Sequence, residues 1–227
     1  MFEEYLSDTY IINFKCDEIK ELIKEKKWRM MEGALCIESI YSFVRDEVKY
    51  SIPYKPNSKA SDILKTMKGD SYTKALLLMA LLRGSGIPAR VHLYKVYKHL
   101  MFGILDKKHL KKLPDELNNF VVEAYLDGHW IGLEGVILDS KYILGIETIL
   151  HNRTGAYIGY GLGVSDINNI DMSFNGETTY IRNKAISRDV GIYASPDEIV
   201  GKIACEFSLI DTFFINKKLA FIRKGRA

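Results

Sequence analysis

Near the start of the chain, apolar and polar positions repeat with the period of an α-helix. Over residues 17–28, apolar residues recur at helical spacing, and acidic residues precede basic ones, which is the order that a helix dipole favours. A second apolar stripe with the same period runs over residues 32–48. The pattern therefore predicts two amphipathic helices.

The segment over residues 70–86 is different, because its middle (residues 75–82) is apolar on every side. A helix tolerates that composition only when protein surrounds it completely. Asp70 and Ser71 are both good N-cap residues, and two glycines followed by a proline end the segment. We therefore predict a buried central helix that starts at these two residues.

Three later segments have the apolar character of β-strands, at residues 89–97, 120–126 and 130–133. Asp127, Gly128 and His129 separate the last two. Asp-Gly between apolar runs is a strong hairpin signal, here with one extra residue. The sequence thus predicts a strand followed by a hairpin.

The pattern loosens after about residue 140. Residues 142–150 and 197–208 still read as short helical stretches, with a Gly- and Asn-rich region between them. We predict a core over residues 1–140 and a C-terminal extension over residues 141–227 that packs on it.

Composition narrows the class of function. The chain has 227 residues, of which 47% are hydrophobic, enough for one sizeable core. Its net charge is only +3, and its 32 basic residues are scattered among 29 acidic ones. Because no field of one sign dominates, we expect no nucleic-acid partner.

The chain also lacks the patterns of export and of membrane insertion. Its first residues include acids where a secretory signal has bases, and no stretch approaches the roughly 20 apolar residues of a membrane span. Three widely separated cysteines, Cys16, Cys36 and Cys205, fit reduced thiols better than structural disulfides. We expect a cytoplasmic protein with no membrane partner.

Four sequence motifs carry a family resemblance. The helix start is KGDS over residues 68–71, and the helix exit is LRGSGIPAR over residues 82–90. They resemble the G-x-C start and the R-x-x-G-I-P-A-R exit of the transglutaminase-like superfamily. IYSFVRDEVKY over residues 40–50 is similar to the family's preceding helix, and VEAYLDGHW over residues 122–130 to its E-x-Y-L-x-G-x-W hairpin.

The resemblance covers about residues 35–140. It implies an α+β, papain-like fold, in which a central buried helix packs on an antiparallel sheet. It also implies Cys-His-Asp chemistry on acyl groups, either hydrolysis of an amide or peptide or acyl transfer to an amine or water. No cofactor is implied.

The resemblance places the catalytic triad at three positions, and all three depart from the family pattern. The nucleophile position holds Ser71, and the histidine position, four residues before the hairpin glutamate, holds Asn119. The acid position holds Glu134, with Asp139 as a weaker candidate. Each also has a plain structural interpretation: Ser71 as an N-cap, Asn119 as a turn residue and Glu134 as a charged hairpin edge.

These departures weigh against the family's chemistry. A serine hydroxyl needs a positioned base, and an amide such as that of Asn119 cannot take a proton in the working range. Loss of base catalysis alone removes on the order of 10²- to 10⁴-fold in rate. Among the five histidines (His92, His99, His109, His129 and His151), His99 is the best candidate for a substitute base, and their spacings fit no zinc site.

The sequence therefore supports two hypotheses. The first is a protein with a degenerate triad that binds a peptide, an amide or an acyl-bearing small molecule in the old active-site cleft. The alternative is an active amide or ester hydrolase or acyltransferase that uses Ser71, with His99 or Glu134 as base. A third interpretation, replacement of a cysteine at position 71 to inactivate an enzyme, is weakened because Asn119 departs as well.

Overall fold

A central helix, α4 (Ser71–Gly84), is buried along its whole length, as its all-round apolar sequence predicts. The structure is a computed structural model that describes residues 2–52, 58–200 and 207–226. The amphipathic helices α1 (Asp17–Lys26) and α2 (Gly33–Glu47) pack on α4, and a further short helix, α3 (Ala60–Thr66), does the same. The helices predicted for the first half of the chain are confirmed.

On another side of α4 lies an antiparallel sheet of four strands. In the order of the sheet they are β5 (His129–Gly132), β4 (Glu116–Leu126), β3 (Ala89–Tyr97) and β8 (Ile186–Tyr193). Strand β3 has the predicted bounds, whereas β4 begins four residues earlier than predicted. The buried apolar residues of β3 and β4 form the face that packs on the helix.

The β4–β5 hairpin is tighter than the sequence suggested. Leu126 pairs with His129, so the loop has two residues, Asp127 and Gly128, and the predicted extra residue belongs to the strand. Both loop residues have positive φ, 49° and 92°, which is the conformation that an Asp-Gly hairpin turn requires.

Two small sheets flank the beginning of α4. Strands β1 (Lys49–Tyr50) and β2 (Lys68–Gly69) pair in parallel, with Tyr50 opposite Gly69. Strands β6 (Tyr157–Gly159) and β7 (Leu162–Val164) form a hairpin. The first pair places Tyr50 next to the residues that start the central helix.

The remaining helices are α5 (Lys107–Leu110), α6 (Ser140–Ile149) and α7 (Leu209–Ile222). Helix α6 confirms the helical stretch predicted over residues 142–150. For the stretch predicted over residues 197–208, the structure shows a short 3₁₀ turn at Pro196–Glu198, and residues 201–206, with Cys205, lie outside the described part. Helix α7 and strand β8 were not predicted.

The described cysteines, Cys16 and Cys36, are free thiols. Within residues 2–52, 58–200 and 207–226, no helix has both the length and the apolar content needed to cross a membrane.

Candidate functional site

The site is built on the start of α4, where Asp70 and not Ser71 is the N-cap. The Asp70 Oδ1 atom accepts a hydrogen bond from the Thr73 N–H at 2.9 Å, and the Asp70 N–H donates to Thr73 Oγ1 at 2.9 Å. A Cβ at Gly69 would lie 2.6 Å from Thr73 Oγ1, so this cap needs the glycine of the motif. The interpretation of Ser71 as a plain N-cap is therefore wrong, because Asp70 is the N-cap of α4.

Ser71 is the first residue of the helix and is 8% exposed. Among the described residues its hydroxyl has no hydrogen-bond partner, and the backbone N–H groups of Ser71 and Tyr72 donate to none. Unpaired N–H groups at a helix start, with the positive end of the helix dipole, stabilise a negatively charged or carbonyl oxygen placed nearby. Burial raises the pKa of Asp70.

Asn119 and Glu134, the two other predicted site residues, are brought together by the structure. Both are buried, at 0% and 2% exposed, and Asn119 Nδ2 donates to Glu134 Oε1 at 2.8 Å. This side-chain contact joins the residues at the family's histidine and acid positions. The interpretations of Asn119 as a turn residue and Glu134 as an exposed hairpin edge are both wrong, since both are enclosed.

The third member of this network, Arg182, was not predicted from the sequence. It is 5% exposed, and its Nη1 atom donates to Asn119 Oδ1 at 2.8 Å while its Nε atom donates to the Gly161 carbonyl at 2.9 Å. Glu134 Oε2 accepts from the backbone N–H groups of Ile181 and Arg182, both at 2.9 Å. The Asn119 amide thus bridges a buried carboxylate and a buried guanidinium.

This bridge decides what Asn119 and Glu134 can do chemically. Each Glu134 oxygen already accepts at least one hydrogen bond, and the Asn119 carbonyl oxygen faces a cation. Neither side chain is hydrogen-bonded to the Ser71 hydroxyl in the described structure. In the described structure, neither side chain is therefore placed to take a proton from Ser71 through a direct hydrogen bond.

A ring contact links the start of α4 to strand β4. The ring of Tyr72, next to Ser71, lies 4.9 Å from the ring of Phe120, next to Asn119. Arg182 has its guanidinium carbon 6.0 Å from the ring centroid of Tyr50. Its positive charge opposes the rise in the pKa of Asp70 that burial causes, so Arg182 acts on the start of the helix through space.

None of the five histidines is hydrogen-bonded to Ser71 in the described structure. His99 is exposed, and its ring packs on Phe102 at 4.8 Å between centroids. His92 is held between Glu123 and Asp189 on β4 and β8, both at 2.9 Å. The others bond to nearby groups: His109 to Asp106, His129 to the Asp127 carbonyl and His151 to the Thr148 carbonyl.

Several residues of the recognised motifs have structural roles. Arg83 donates to the carbonyls of Ser7 (2.8 Å) and Ala89 (2.8 and 3.2 Å) and so ties the end of α4 to β3. Arg90 pairs with Glu123 at 2.6 Å and lies over the Trp130 ring at 4.0 Å. These contacts give the two motif arginines a structural role.

A buried cation, Lys74, lies one helical turn after Ser71 and was also missed. Its Nζ atom donates to the carbonyls of Arg45 (3.0 Å) and Ile137 (3.3 Å), and burial lowers its pKa to about 7. The only sign of its burial in the sequence is its place at the start of an apolar run. No group of His, Cys, Asp and Glu residues in the described part is arranged to hold a metal ion.

The buried helix packed on an antiparallel sheet defines an α+β protein of papain-like, transglutaminase-like architecture. Residues 30–134, a little under half of the chain, match the family model of the transglutaminase-like superfamily, and this part of the chain is similar to that superfamily.

Among solved structures, the chain is similar to a "Putative Cysteine Protease" from Cytophaga hutchinsonii, at 20% identity and a TM-score of 0.46. The match covers 60% of this chain and 42% of that one. Among curated proteins, none matches the sequence.

Proposed function

We propose that this protein binds a peptide, an amide or an acyl-bearing small molecule at the start of α4, without the cysteine chemistry of its family. The proposal depends on one observation: the amide of Asn119, at the family's histidine position, is held between Glu134 and Arg182. A serine hydroxyl without a base is a poor nucleophile. We therefore expect the site to bind its ligand without cleaving it.

The free donors at the helix start indicate the class of ligand. The backbone N–H groups of Ser71 and Tyr72 and the Ser71 hydroxyl can donate to one carbonyl or carboxylate oxygen, and the helix dipole strengthens such a contact. In an acyl-transfer enzyme, donors of this kind stabilise the oxyanion. Here they would bind the carbonyl oxygen of an unreacted ligand.

The test has a binding arm and a catalytic arm. In the binding arm, ¹⁵N-labelled protein is titrated with N-acetylated dipeptide amides and with short acyl carboxylates, and the backbone amide resonances are followed. We expect shifts concentrated at Ser71 and Tyr72, which Ser71→Trp abolishes by filling the site. Ser85→Ala, at the opposite end of α4, is the matched control and leaves the shifts unchanged.

In the catalytic arm, amide and ester hydrolysis and labelling by a fluorophosphonate are compared between the wild-type protein and Ser71→Ala. We expect equal rates and no stoichiometric labelling. A turnover that Ser71→Ala removes would establish the serine-dependent enzyme instead. The absence of any shift at the helix start with either ligand class would refute the binding role.

A further inference from the structure

The outer face of α7 is apolar although it lies at the surface of the described structure. Its sequence, LIDTFFINKKLAFI, has apolar residues on all sides, a composition typical of an enclosed helix. One side is buried through Thr212, Ile215, Leu219 and Ile222. On the other side, Leu209, Ile210, Phe213 and Phe214 are 69%, 68%, 56% and 51% exposed.

The attachment of α7 to the core is specific, so a loosely placed helix does not account for this exposure. Asn216 exchanges hydrogen bonds with the backbone N–H and carbonyl of Ile52, both at 2.9 Å. Arg223 pairs with Asp139 at 2.6 Å, and a Cβ at Gly145 would lie 1.9 Å from the carbonyl oxygen of Ile222. The buried side is therefore fixed, and with it the outward direction of the four apolar residues.

Basic residues lie beside this apolar face. Helix α5 is its neighbour, with the His109 ring 6.1 Å from that of Phe214. Lys217 and Lys218 of α7 line a groove together with Phe214, and four more lysines lie in the α5 segment: Lys107, Lys108, Lys111 and Lys112. Within the described residues none of the six forms an ion pair, and two acids here, Asp106 and Asp211, face His109 at 2.7 and 3.7 Å.

A groove adds a recess to this surface. It has a volume of about 530 Å³ and lies between residues 103–106 and α7. Ile104, Leu105, Phe214 and Phe221 give it an apolar lining, and Lys217 and Lys218 line it as well. An apolar recess that also contains ammonium groups fits an amphipathic molecule with a negative end.

We propose that this surface, the four exposed apolar residues of α7 with the six lysines around them, docks on the face of an anionic lipid bilayer. An interfacial helix inserts its apolar side about 5–10 Å into the headgroup region, and nearby lysines are attracted to anionic lipids. The exposed aliphatic residues Leu209 and Ile210 favour acyl chains over nucleic acid, because bases stack on rings. The proposal concerns peripheral docking, and it revises the expectation of no membrane partner, which considered only membrane spans.

The test is sedimentation of the full chain with phospholipid vesicles. We expect binding to vesicles that contain phosphatidylglycerol, little binding to pure phosphatidylcholine, and a fall in binding with added salt. Each lysine near the surface contributes roughly five-fold in affinity, so Lys217→Glu/Lys218→Glu weakens binding on the order of 10-fold or more. Phe213→Ser/Phe214→Ser removes the insertion and is expected to lose at least as much.

The control variants reverse two lysines or remove one exposed apolar side chain at surfaces away from α7. Lys20→Glu/Lys24→Glu on α1 and Met30→Ser, at a residue that is 83% exposed, are expected to bind like the wild type. Thermal unfolding confirms that each variant is folded. As an independent readout, quenching of Phe213→Trp fluorescence by brominated lipids reports insertion directly.

Three results would overturn the proposal. The first is equal vesicle binding by the α7 variants and the controls, or no binding by the wild type. The second is a dimer that Phe213→Ser/Phe214→Ser dissociates, which would assign the face to a second copy of the chain. The third is tighter binding of an RNA oligonucleotide than of vesicles that contain phosphatidylglycerol. Failure of the ligand titrations at Ser71 would leave this proposal unaffected, since the two use separate residues and readouts.

Discussion

Two polar networks each include one residue of strand β4, Asn119 in the first and Glu123 in the second, and they differ in the groups that they bring together. The first joins Asn119, Glu134 and Arg182, with the Asn119 amide between carboxylate and guanidinium. The second places His92 between Glu123 and Asp189, with 2.9 Å from each imidazole nitrogen to a carboxylate oxygen. The networks share a register, because Asn119 lies opposite Tyr94, two residues from His92.

The second network contains an imidazole and two carboxylates but no serine or cysteine. Burial alone would lower the pKa of His92, but hydrogen bonds to Glu123 and Asp189 outweigh it and raise the pKa. The hydroxyl within reach belongs to Tyr94, 2.8 Å from His92 Nδ1, and burial raises the pKa of Tyr94 to about 12. The first network contains a carboxylate and an amide but no imidazole. The imidazole and carboxylates of the second network are on β3, β4 and β8, and in the described structure neither network is hydrogen-bonded to Ser71.

The largest expected effect comes from breaking the first network at Arg182. Arg182→Met leaves the Glu134 carboxylate buried without a nearby cation and leaves Asn119 Oδ1 and the Gly161 carbonyl without a donor. We expect a loss of about 3 kcal/mol in the free energy of unfolding, measured with urea. Arg188→Met, at an exposed arginine on β8, is the control and is expected to change stability by less than about 1 kcal/mol. Equal losses would show that the network does not stabilise the fold.

A buried cation outside both networks provides the second prediction. Burial lowers the pKa of Lys74 to about 7, from an ordinary value of 10.5. Between these pH values the unfolded chain binds more protons, so wild-type stability rises with pH across that window and the cost is fully present below pH 7. Lys74→Met removes this dependence and is expected to be more stable than the wild type at low pH, by on the order of 1 kcal/mol.

Urea unfolding on either side of that window checks this expectation. Lys68→Met, at an exposed lysine just before the helix, should keep the wild-type dependence on pH. A variant at position 74 that parallels the wild type at every pH would show that Lys74 stays charged in the folded protein.

The third prediction concerns His92, whose effect on the free energy of unfolding is smaller. Its contribution falls with rising pH, whereas that of Lys74 rises. Because the folded pKa of His92 is raised, protonation stabilises the fold fully below the unfolded pKa of about 6.5, and this contribution is lost as pH rises through the folded pKa. His92→Gln lacks this contribution. The difference in the free energy of unfolding between the wild type and His92→Gln should therefore shrink as pH rises.

The smallest expected change is in catalysis. In Ser71→Cys/Asn119→His, two family residues are restored, but Arg182 would donate to the new imidazole nitrogen and occupy the lone pair that a base needs. We expect hydrolysis of amide and ester substrates to stay at the background rate. A rise of roughly 10²-fold or more would show that Arg182 does not block the base.

Local pattern was enough to predict α4, β3 and the hairpin, because α4 is a long apolar run between N-cap residues and glycines, β3 is an apolar run that follows Pro88, and Asp127-Gly128 marks the turn of the hairpin. The motifs also singled out Asn119 and Glu134, which the structure joins by a hydrogen bond. Arg182 could not be found this way. Nothing near it in sequence separates it from the exposed Arg188, and it meets Asn119 across 63 positions of the chain.

The same limit explains the missed elements of the C-terminal part. The residues of β8 are largely exposed or half-buried, so the strand has no clear apolar alternation. Helix α7 is apolar on both its buried and its exposed side, which obscures the one-sided stripe by which a surface helix is recognised. Pairing with β3 and packing on the core, both long-range effects, determine these two elements.

Arg83 connects three separate parts of the chain through hydrogen bonds. Besides its bonds to Ser7 and Ala89, its guanidinium donates to the carbonyl of Ala194 just after β8. One side chain from the central helix therefore holds an early and a late segment of the chain at the same point. The two segments should open together in hydrogen exchange, and removal of either would expose the polar end of the arginine that holds the other.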